Sequence, residues 1–305
     1  MKDHKAKGYF FAAAAAFSFS LFSVLGKFFM TRGATPNIVL FWQFPATMLG
    51  IGVYFWLRGI PGFRIEKNKI PLYLLAAILV LGANLTFYYA MYYIGASLTT
   101  LLFYSYPVFT AFFFWITGIR KISFFNWIAI GMALFGSALT LEVFSGVGVI
   151  HPFGIFLAIA AGFIYCLYGI LLDLKLYDQN FHSINFYSCF VGFMVMIVMN
   201  SASGTNPFRL GIPETLGLIA IGLVVGLLPN YLNFLSITMI GAEKSSVVLS
   251  LELPCTLIIA FVLLGEKMKP LQLLGVAVVL LAIILLKMGD REVEGVEVLP
   301  EEPMP

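Results

Sequence analysis

The chain has 305 residues, of which 61% are hydrophobic and 11% are charged, and its mean hydropathy is +0.97. This composition excludes an ordinary soluble domain, which is about half apolar and a quarter charged, and it excludes a disordered chain. The apolar runs approach the roughly 20 residues that a helix needs to cross a bilayer, whereas the strands of a β-barrel would alternate over about ten residues. The sequence therefore predicts an all-α integral membrane protein in a lipid bilayer. The small net charge of +3 gives no indication of a nucleic-acid partner.

Ten apolar runs, separated by short stretches rich in Gly, Pro, Asn and charge, predict ten transmembrane helices. They lie at residues 8–30, 36–58, 71–93, 97–118, 123–141, 152–173, 183–201, 214–238, 245–264 and 270–287. The basic start before the first, alanine-rich run is also typical of a secretory signal. The internal repeat described below favours a retained first span.

The distribution of Lys and Arg predicts the orientation of these helices. With ten spans both termini share one side, and 13 Lys and Arg fall on that side against five on the other. Because cytoplasmic loops carry the excess of basic residues, we expect a multi-pass protein of the cell inner (plasma) membrane with both termini cytoplasmic. Residues 1–7 form the N-terminus. Residues 288–305, rich in acidic residues and Pro, are predicted to be a disordered cytoplasmic tail.

An offset of 146 residues aligns the first five predicted helices with the last five. It places Asn84 on Asn230, and it places Ile-Gly-Ala at 94–96 on the same tripeptide at 240–242. This indicates two five-helix repeats, at 8–141 and 152–287, and the odd number of spans in each makes the copies inverted. Inverted repeats are an architecture of secondary transporters, with the cargo site near the midplane. The alternative is that the alanine-rich runs share only a small-residue packing face.

Several segments carry a family resemblance. They are Gly241–Glu252 (GAEKSSVVLSLE), Leu264–Lys267 (LGEK) leading to Leu271–Gly275 (LQLLG), and residues 96–108 in the first half. In this order they resemble the EamA-type carriers of the drug/metabolite transporter superfamily over about residues 8–287. The family pattern usually has a proline directly after Ser-Leu-Glu and an arginine in span two, where this chain has Leu253 before Pro254 and offers Gln43. The resemblance implies export, or less often uptake, of amino acids and other small metabolites.

Glu252 is an acid about midway along the ninth predicted span. An ionised carboxylate at that depth costs at least ~2.5 kcal/mol, and such residues normally face the protein interior or a wet cavity. Two functional roles are open, contact with an ammonium group of the cargo or transfer of protons. A structural hydrogen bond to a neighbouring helix, near a break at Pro254, is the alternative.

Amide and tyrosine side chains inside the apolar runs are further candidates for cargo binding. Asn84 and Asn230 are related by the repeat, and Asn233 follows on the same helical face as Asn230. These amides bind cargo or clamp two helices together. Tyr88 and Tyr92 follow Asn84 at a spacing of one helical turn, and Tyr92 is also consistent with an interfacial aromatic belt.

A proline in span four predicts a helix break. Pro107 removes a backbone donor, and transporter helices are often broken to expose carbonyl groups to cargo; a simple kink is the alternative. Tyr104 lies beside this break, and Tyr165 and Tyr168 lie at helical spacing in span six.

The repeat also aligns two charged residues at the ends of spans, Lys27 and Asp173. We interpret both as rim residues that extend their charged groups towards water. A role in gating the pathway is the alternative.

A secondary transporter of a small-molecule cargo is the function that these features favour. A membrane-embedded enzyme would need a nucleophile with its base, a metal cluster or an acid pair, and the predicted spans contain one deep acid and no histidine. The spacing of the three cysteines, Cys166, Cys189 and Cys255, is not that of a disulfide framework or a metal site. The sequence has no G-x-x-x-x-G-K-[ST] loop that would indicate an ATP-driven pump. No cofactor is indicated. A non-transporting scaffold or scramblase is the third class, and the sequence does not determine an oligomeric state.

Overall fold

A computed structural model of the chain describes residues 2–31, 33–58, 65–141, 151–264 and 269–297. Regular structure in these ranges is helical, with a short 3₁₀ helix at Lys67–Lys69. The α-helices are α1 Lys2–Thr31, α2 Pro36–Arg58, α3 Ile70–Ile94, α4 Ala96–Phe103, α5 Tyr106–Thr117, α6 Phe124–Thr140, α7 Pro152–Lys175, α8 Phe181–Ser203, α9 Ile212–Val225, α10 Leu228–Ile240, α11 Ala242–Leu249, α12 Glu252–Leu264 and α13 Pro270–Glu297.

Six helical stretches in the described part of the chain are long and apolar enough to cross a membrane. They are Pro36–Leu57, Lys67–Ile94, Leu98–Thr117, Pro152–Lys175, Phe181–Ser203 and Ile212–Ile240. Phe124–Thr140 and Pro270–Leu286 are shorter apolar helices. These lengths and compositions agree with a multi-pass membrane protein.

Three of the predicted runs are each divided between two helices. The run at 97–118 corresponds to α4 and α5, the run at 214–238 to α9 and α10, and the run at 245–264 to α11 and α12. Pro107 and Pro229 lie in the first turns of α5 and α10, where a residue without an N–H fits a helix best. Pro254 lies in the first turn of α12.

Two helix ends differ from the sequence prediction. α13 continues to Glu297, so the first part of the tail predicted to be disordered at 288–305 is helical. The helix can continue because the first proline of this tail is Pro300, and residues 298–305 lie outside the described residues. α8 begins at Phe181, so the buried side chain of His182 lies in a helix rather than before it.

The two halves of the chain have matching breaks. The first residue of α4 and that of α11 are 146 residues apart, as are the first residues of α5 and α12. The glycine before α4, Gly95, has a φ of +77°, and the glycine before α11, Gly241, has a φ of +88°. Residues that carry a side chain rarely adopt such φ values, so the same local turn is built with glycine in both halves.

Helices from the two halves pack against each other in equivalent pairs. α3 packs against α7. The equivalent contact after the 146-residue offset is that of α10 with α1. A Cβ atom on Gly154 would lie 2.6 Å from Cγ2 of Ile94, and one on Gly8 would lie 2.6 Å from Cγ2 of Ile240. α2 packs against α8, and α6 packs against α13. The centre of the molecule is therefore enclosed by helices of both halves.

Candidate functional site

A cavity of about 170 Å³ lies between the two halves. Its volume is close to the roughly 150 Å³ of an engineered protein cavity that binds benzene, so it suits a small molecule. The lining residues come from both halves and are Phe19, Gln43, Phe44, Thr47, Val80, Ala83, Asn84, Phe87, Tyr88, Phe103, Tyr104, Tyr106, Tyr165, Tyr168, Asn185, Cys189, Gly226, Asn230, Leu249 and Glu252.

The helix breaks of the two halves are hydrogen-bonded to each other beside this cavity. Tyr104, in the turn between α4 and α5, donates its hydroxyl to Oε2 of Glu252 at 2.8 Å, and this hydroxyl lies 3.3 Å from the carbonyl oxygen of Leu249. The hydroxyl of Tyr106 donates to the carbonyl oxygen of Ser246 at 3.2 Å. The break between α4 and α5 thus brings Tyr104 to the first turn of α12 and Tyr106 to the last turn of α11 in the other half.

The repeat-related asparagines both line the cavity and bond in the same way. Nδ2 of Asn84 donates to the carbonyl oxygen of Val80 at 2.7 Å, and Nδ2 of Asn230 donates to that of Gly226 at 3.4 Å. Each bond returns to the residue four positions earlier, which for Asn84 lies in its own helix and for Asn230 lies in the turn between α9 and α10. Asn185 of α8 also donates to the Gly226 carbonyl oxygen, at 2.7 Å.

Aromatic rings form a continuous wall of the cavity. The centroid of Phe103 lies 5.2 Å from that of Tyr106 and 5.3 Å from that of Tyr165. Tyr106 and Tyr165 are edge to face at 5.2 Å, and Tyr168 lies 6.1 Å from Tyr165. These spacings fall in the range of favourable ring pairs, so the wall is a packed unit.

Two of the residues proposed from the sequence for cargo binding lie outside the cavity. Tyr92 is 67% exposed, because it lies in the last turn of α3, one turn beyond the buried Tyr88. Asn233 is buried in a smaller adjacent space. Its Nδ2 donates to the hydroxyl of Tyr165 at 3.1 Å, and its Oδ1 accepts from the hydroxyl of Ser245 at 3.0 Å. Asn233 therefore joins α10 to α7 and α11.

Several lining residues were not predicted from the sequence. Tyr106 belongs to the same Tyr-Ser-Tyr-Pro stretch as Tyr104. It was not predicted because the sequence does not show which side chains face the cavity where a helix is broken. Asn185 is an amide within the seventh predicted span, so the rule that polar groups in lipid face inward would have found it. Gln43, in the second predicted span, also lines the cavity. Its Oε1 atom lies 3.5 Å from the hydroxyl oxygen of Tyr88.

Arg120, Asp173 and Glu243 form an ion cluster outside the cavity. Nη1 and Nη2 of Arg120 donate to the two carboxylate oxygens of Asp173 at 2.6 Å and 2.8 Å, and Nη1 also contacts Oε2 of Glu243 at 2.7 Å. The main-chain N–H of Ala242 donates to Oδ2 of Asp173 at 2.8 Å. The cluster therefore connects the loop after α5 to the end of α7 and the start of α11.

The surroundings of Arg120 keep it charged. Burial acts to lower the pKa of its guanidinium, but the hydrogen bond to Asp173 and the charge of Glu243 together raise this pKa above its usual value. The guanidinium also lies 4.6 Å from the centre of the Phe114 ring, a distance typical of a cation–π contact.

The cluster corrects the interpretation of Asp173 as a rim residue. Its side chain is 5% exposed, because it accepts three hydrogen bonds from groups that close around it. Glu243 was missed since it lies two residues before the predicted span 245–264. The side chain of Lys27, the repeat counterpart of Asp173, lies outside the described residues.

Comparison with known families finds a match to the EamA-like transporter family at residues 6–142 and a second match at residues 152–288. The chain belongs to this family. The two EamA matches are separated by the same 146 residues that relate Asn84 to Asn230 and α4 to α11. Within the described residues, no group of three or more His, Cys, Asp or Glu could hold a metal ion.

This EamA chain is similar to a curated protein and to solved structures. The uncharacterized transporter sll1319 of Synechocystis sp. is 26% identical over 204 residues, which are 65% of this chain and 61% of that protein. The chain thus spans less than two thirds of the length of this relative. A crystal structure with 14% sequence identity covers 96% of this chain and 99% of its own, at a TM-score of 0.79, and this likeness concerns the fold. The matched family is one of transporters, and the relative itself is named as a transporter.

Proposed function

We propose that this protein is a secondary transporter that exports small metabolites such as amino acids across the cell inner membrane. The chain crosses the membrane ten times as two inverted repeats, at 8–141 and 152–287, with both termini in the cytoplasm. The observation that carries the proposal is the cavity, which both halves line and which lies beside their broken helices. Transporters of this architecture bind cargo at such a position.

Alternating access requires that the cavity be closed to one side of the membrane at a time. The Arg120–Asp173–Glu243 cluster supports closure at the cytoplasmic end, because Arg120 lies in a loop predicted to be cytoplasmic and connects α7 to α11. Opening to that side separates these charges, so the cluster contributes to the energy difference between the two states.

In this proposal Glu252 also couples transport to protons. A carboxylate that lines the cavity can bind a proton as well as a cargo group, and it then couples transport to a pH gradient across the membrane. Transport without any dependence on the pH gradient would indicate facilitated diffusion instead.

Transport by purified protein in liposomes tests the proposal. A panel of labelled amino acids and small organic acids is offered, with and without a pH gradient. Ala83→Phe places a ring at a buried position of the cavity wall, and Leu74→Phe places the same ring on an exposed face of the same helix. We expect transport by the wild type and by Leu74→Phe, and loss of transport in Ala83→Phe. Entry no faster than in empty liposomes, or equal transport by both variants, contradicts the proposal.

A further inference from the structure

A small polar space adjoins both the central cavity and the ion cluster, and we call this space the neck. Its volume is about 20 Å³. The residues that line both the neck and the central cavity are Tyr106, Tyr165, Tyr168 and Leu249. Ala242 also lines the neck, and its main-chain N–H donates to Asp173 of the cluster at 2.8 Å. A space of this volume holds about one water molecule, so a cargo that fits the central cavity does not pass the neck as it stands.

The amide of Asn233 forms a bridge across the neck. Its Nδ2 donates to the hydroxyl of Tyr165 on α7 at 3.1 Å, and its Oδ1 accepts from the hydroxyl of Ser245 on α11 at 3.0 Å. Asn233 is 5% exposed and Ser245 is 1% exposed. A buried polar group that loses its partner is costly, so the bridge stabilises the arrangement in which α7, α10 and α11 close around the neck.

The bridge and the ion cluster hold the same short helix. Glu243, two residues before Ser245 in α11, pairs with Arg120 at 2.7 Å. A Cβ atom on Gly169 would lie 3.8 Å from Cβ of Ala242, so α7 lies close to the start of α11. Movement of α11 away from α7 therefore breaks the amide bridge as well as the contacts of the cluster.

The repeat counterparts of two bridge residues cannot form such a bridge. With the offset of 146 residues, Tyr165 corresponds to Phe19. Asn233 corresponds to Phe87 in the same way. Both phenylalanines line the central cavity, and a phenyl ring has no group that donates or accepts a conventional hydrogen bond. Because equivalent positions of inverted repeats lie towards opposite sides of the membrane, the bridge favours closure at one side only.

We propose that Asn233 is the latch of the cytoplasmic gate, and that cargo exchanges with the cytoplasm through the neck. This inference rests on the proposed transport function and assigns Asn233 to gating rather than to cargo binding. The neck opens when the bonds of Asn233 to Tyr165 and Ser245 separate and their polar groups become hydrated. The latch thereby shifts the equilibrium between the two states of the transporter towards the state that is closed to the cytoplasm.

Thiol labelling of Cys166, which lines the neck, tests the latch without any cargo. The chain keeps Cys166 and carries Cys189→Ala and Cys255→Ala, and an impermeant thiosulfonate is applied to the cytoplasmic face of oriented vesicles. Asn233→Leu removes both hydrogen bonds at similar volume, and we expect it to raise the labelling rate about tenfold, since two neutral hydrogen bonds contribute on this scale. Asn200→Leu makes the same change at a buried position in the last turn of α8, outside the neck, and should leave the rate unchanged.

Labelling from the two faces separates a latch from a general loosening of the protein. The reporter is Asn84→Cys in a chain without native cysteines, because Asn84 lines the central cavity. We expect Asn233→Leu to raise its labelling from the cytoplasmic face and not from the outer face, since a latch changes the populations of two states. An equal rise from both faces, or an unchanged rate at Cys166, overturns the latch. Labelling of Asn84→Cys from both faces without Asn233→Leu leaves the transporter proposal standing in that case, whereas labelling from one face alone overturns both proposals.

A milder variant keeps the test decisive if Asn233→Leu does not fold. Ser245→Ala removes one of the two bonds, and Ser245 lies outside the central cavity. We expect it to raise the labelling rate of Cys166 about threefold. Ser250→Ala removes a buried hydroxyl that does not line the neck and should leave the rate unchanged. No rise in Ser245→Ala, or an equal rise in both serine variants, overturns the latch.

Discussion

Arg120 and Asp173 form a two-point ion pair, in which the two terminal nitrogens of the guanidinium face the two oxygens of the carboxylate at 2.6 Å and 2.8 Å. Such bidentate pairs fix orientation as well as distance. Because Arg120 follows α5 and Asp173 lies near the end of α7, the pair holds the two halves of the chain together at one end of the central helices. Glu243 extends the same contact to α11.

Replacement of Arg120 tests the contribution of this cluster to stability. Arg120→Gln leaves two buried carboxylates without their cation, so we expect the free energy of unfolding to fall by about 3 kcal/mol. Lys121→Gln removes a neighbouring exposed charge and should change it by no more than about 0.5 kcal/mol. Denaturant unfolding in detergent measures both variants, and equal stability of the two would show that the cluster does not hold the structure together.

The contact of α6 with α13 gives a matched pair of glycines in one helix. A Cβ atom on Gly136 would lie 2.8 Å from the carbonyl oxygen of Gly275, whereas one on Gly131 would meet nothing within 4 Å. We expect Gly136→Ala to destabilise the protein by about 1–3 kcal/mol through overpacking, and Gly131→Ala to stabilise it by up to about 1 kcal/mol through helix propensity. The midpoints of thermal unfolding of the two variants test this expectation. Shifts of both midpoints in the same direction would contradict the close packing of α6 against α13.

Much of the helical arrangement could be predicted from local properties of the sequence. Apolar runs reveal helices because lipid leaves few other ways to satisfy the backbone, and Pro107 marks the start of α5 because proline fits a first turn. The break between α9 and α10 was not predicted, although Pro229 lies in the first turn of α10. The extension of α13 to Glu297 was not predicted either, since composition alone does not distinguish an acidic helix from an acidic coil.

The cavity was predictable where a polar group stands out from an apolar run. Asn84, Asn230 and Glu252 are such groups, and all three line the cavity. Tyr92 shows the limit of this reasoning, because a tyrosine at helical spacing is equally compatible with the surface of the helix end. The partnership of Arg120 with Asp173 joins residues 53 positions apart, and such tertiary pairings are not encoded in local spacing.

The proposed orientation predicts which loops reach the cell exterior. In a chain whose three native cysteines are replaced by alanine, Asn68→Cys lies in an exposed 3₁₀ helix that the proposal places in the cytoplasm, and Ser203→Cys lies at an exposed end of α8 that the proposal places outside the cell. We expect an impermeant maleimide to label Ser203→Cys in intact cells, and to label Asn68→Cys only after permeabilisation, because the basic residues around Asn68 favour the cytoplasm. The reverse pattern would invert the proposed topology.

In the proposed mechanism, one cavity between the two halves opens alternately to each side of the membrane. Thiol labelling of Asn84→Cys, in the cysteine-free chain, from each face of oriented vesicles tests this mechanism. Tyr92→Cys is the control, because Tyr92 lies on the same helix but outside the cavity.

We expect a small impermeant thiosulfonate to label Asn84→Cys from both faces, and a transported cargo to slow this labelling, since each face reaches the cavity in one of two interconverting states. Tyr92→Cys should label from the outer face alone. Labelling of Asn84→Cys from a single face under all conditions, or from neither face, would contradict alternating access through this cavity.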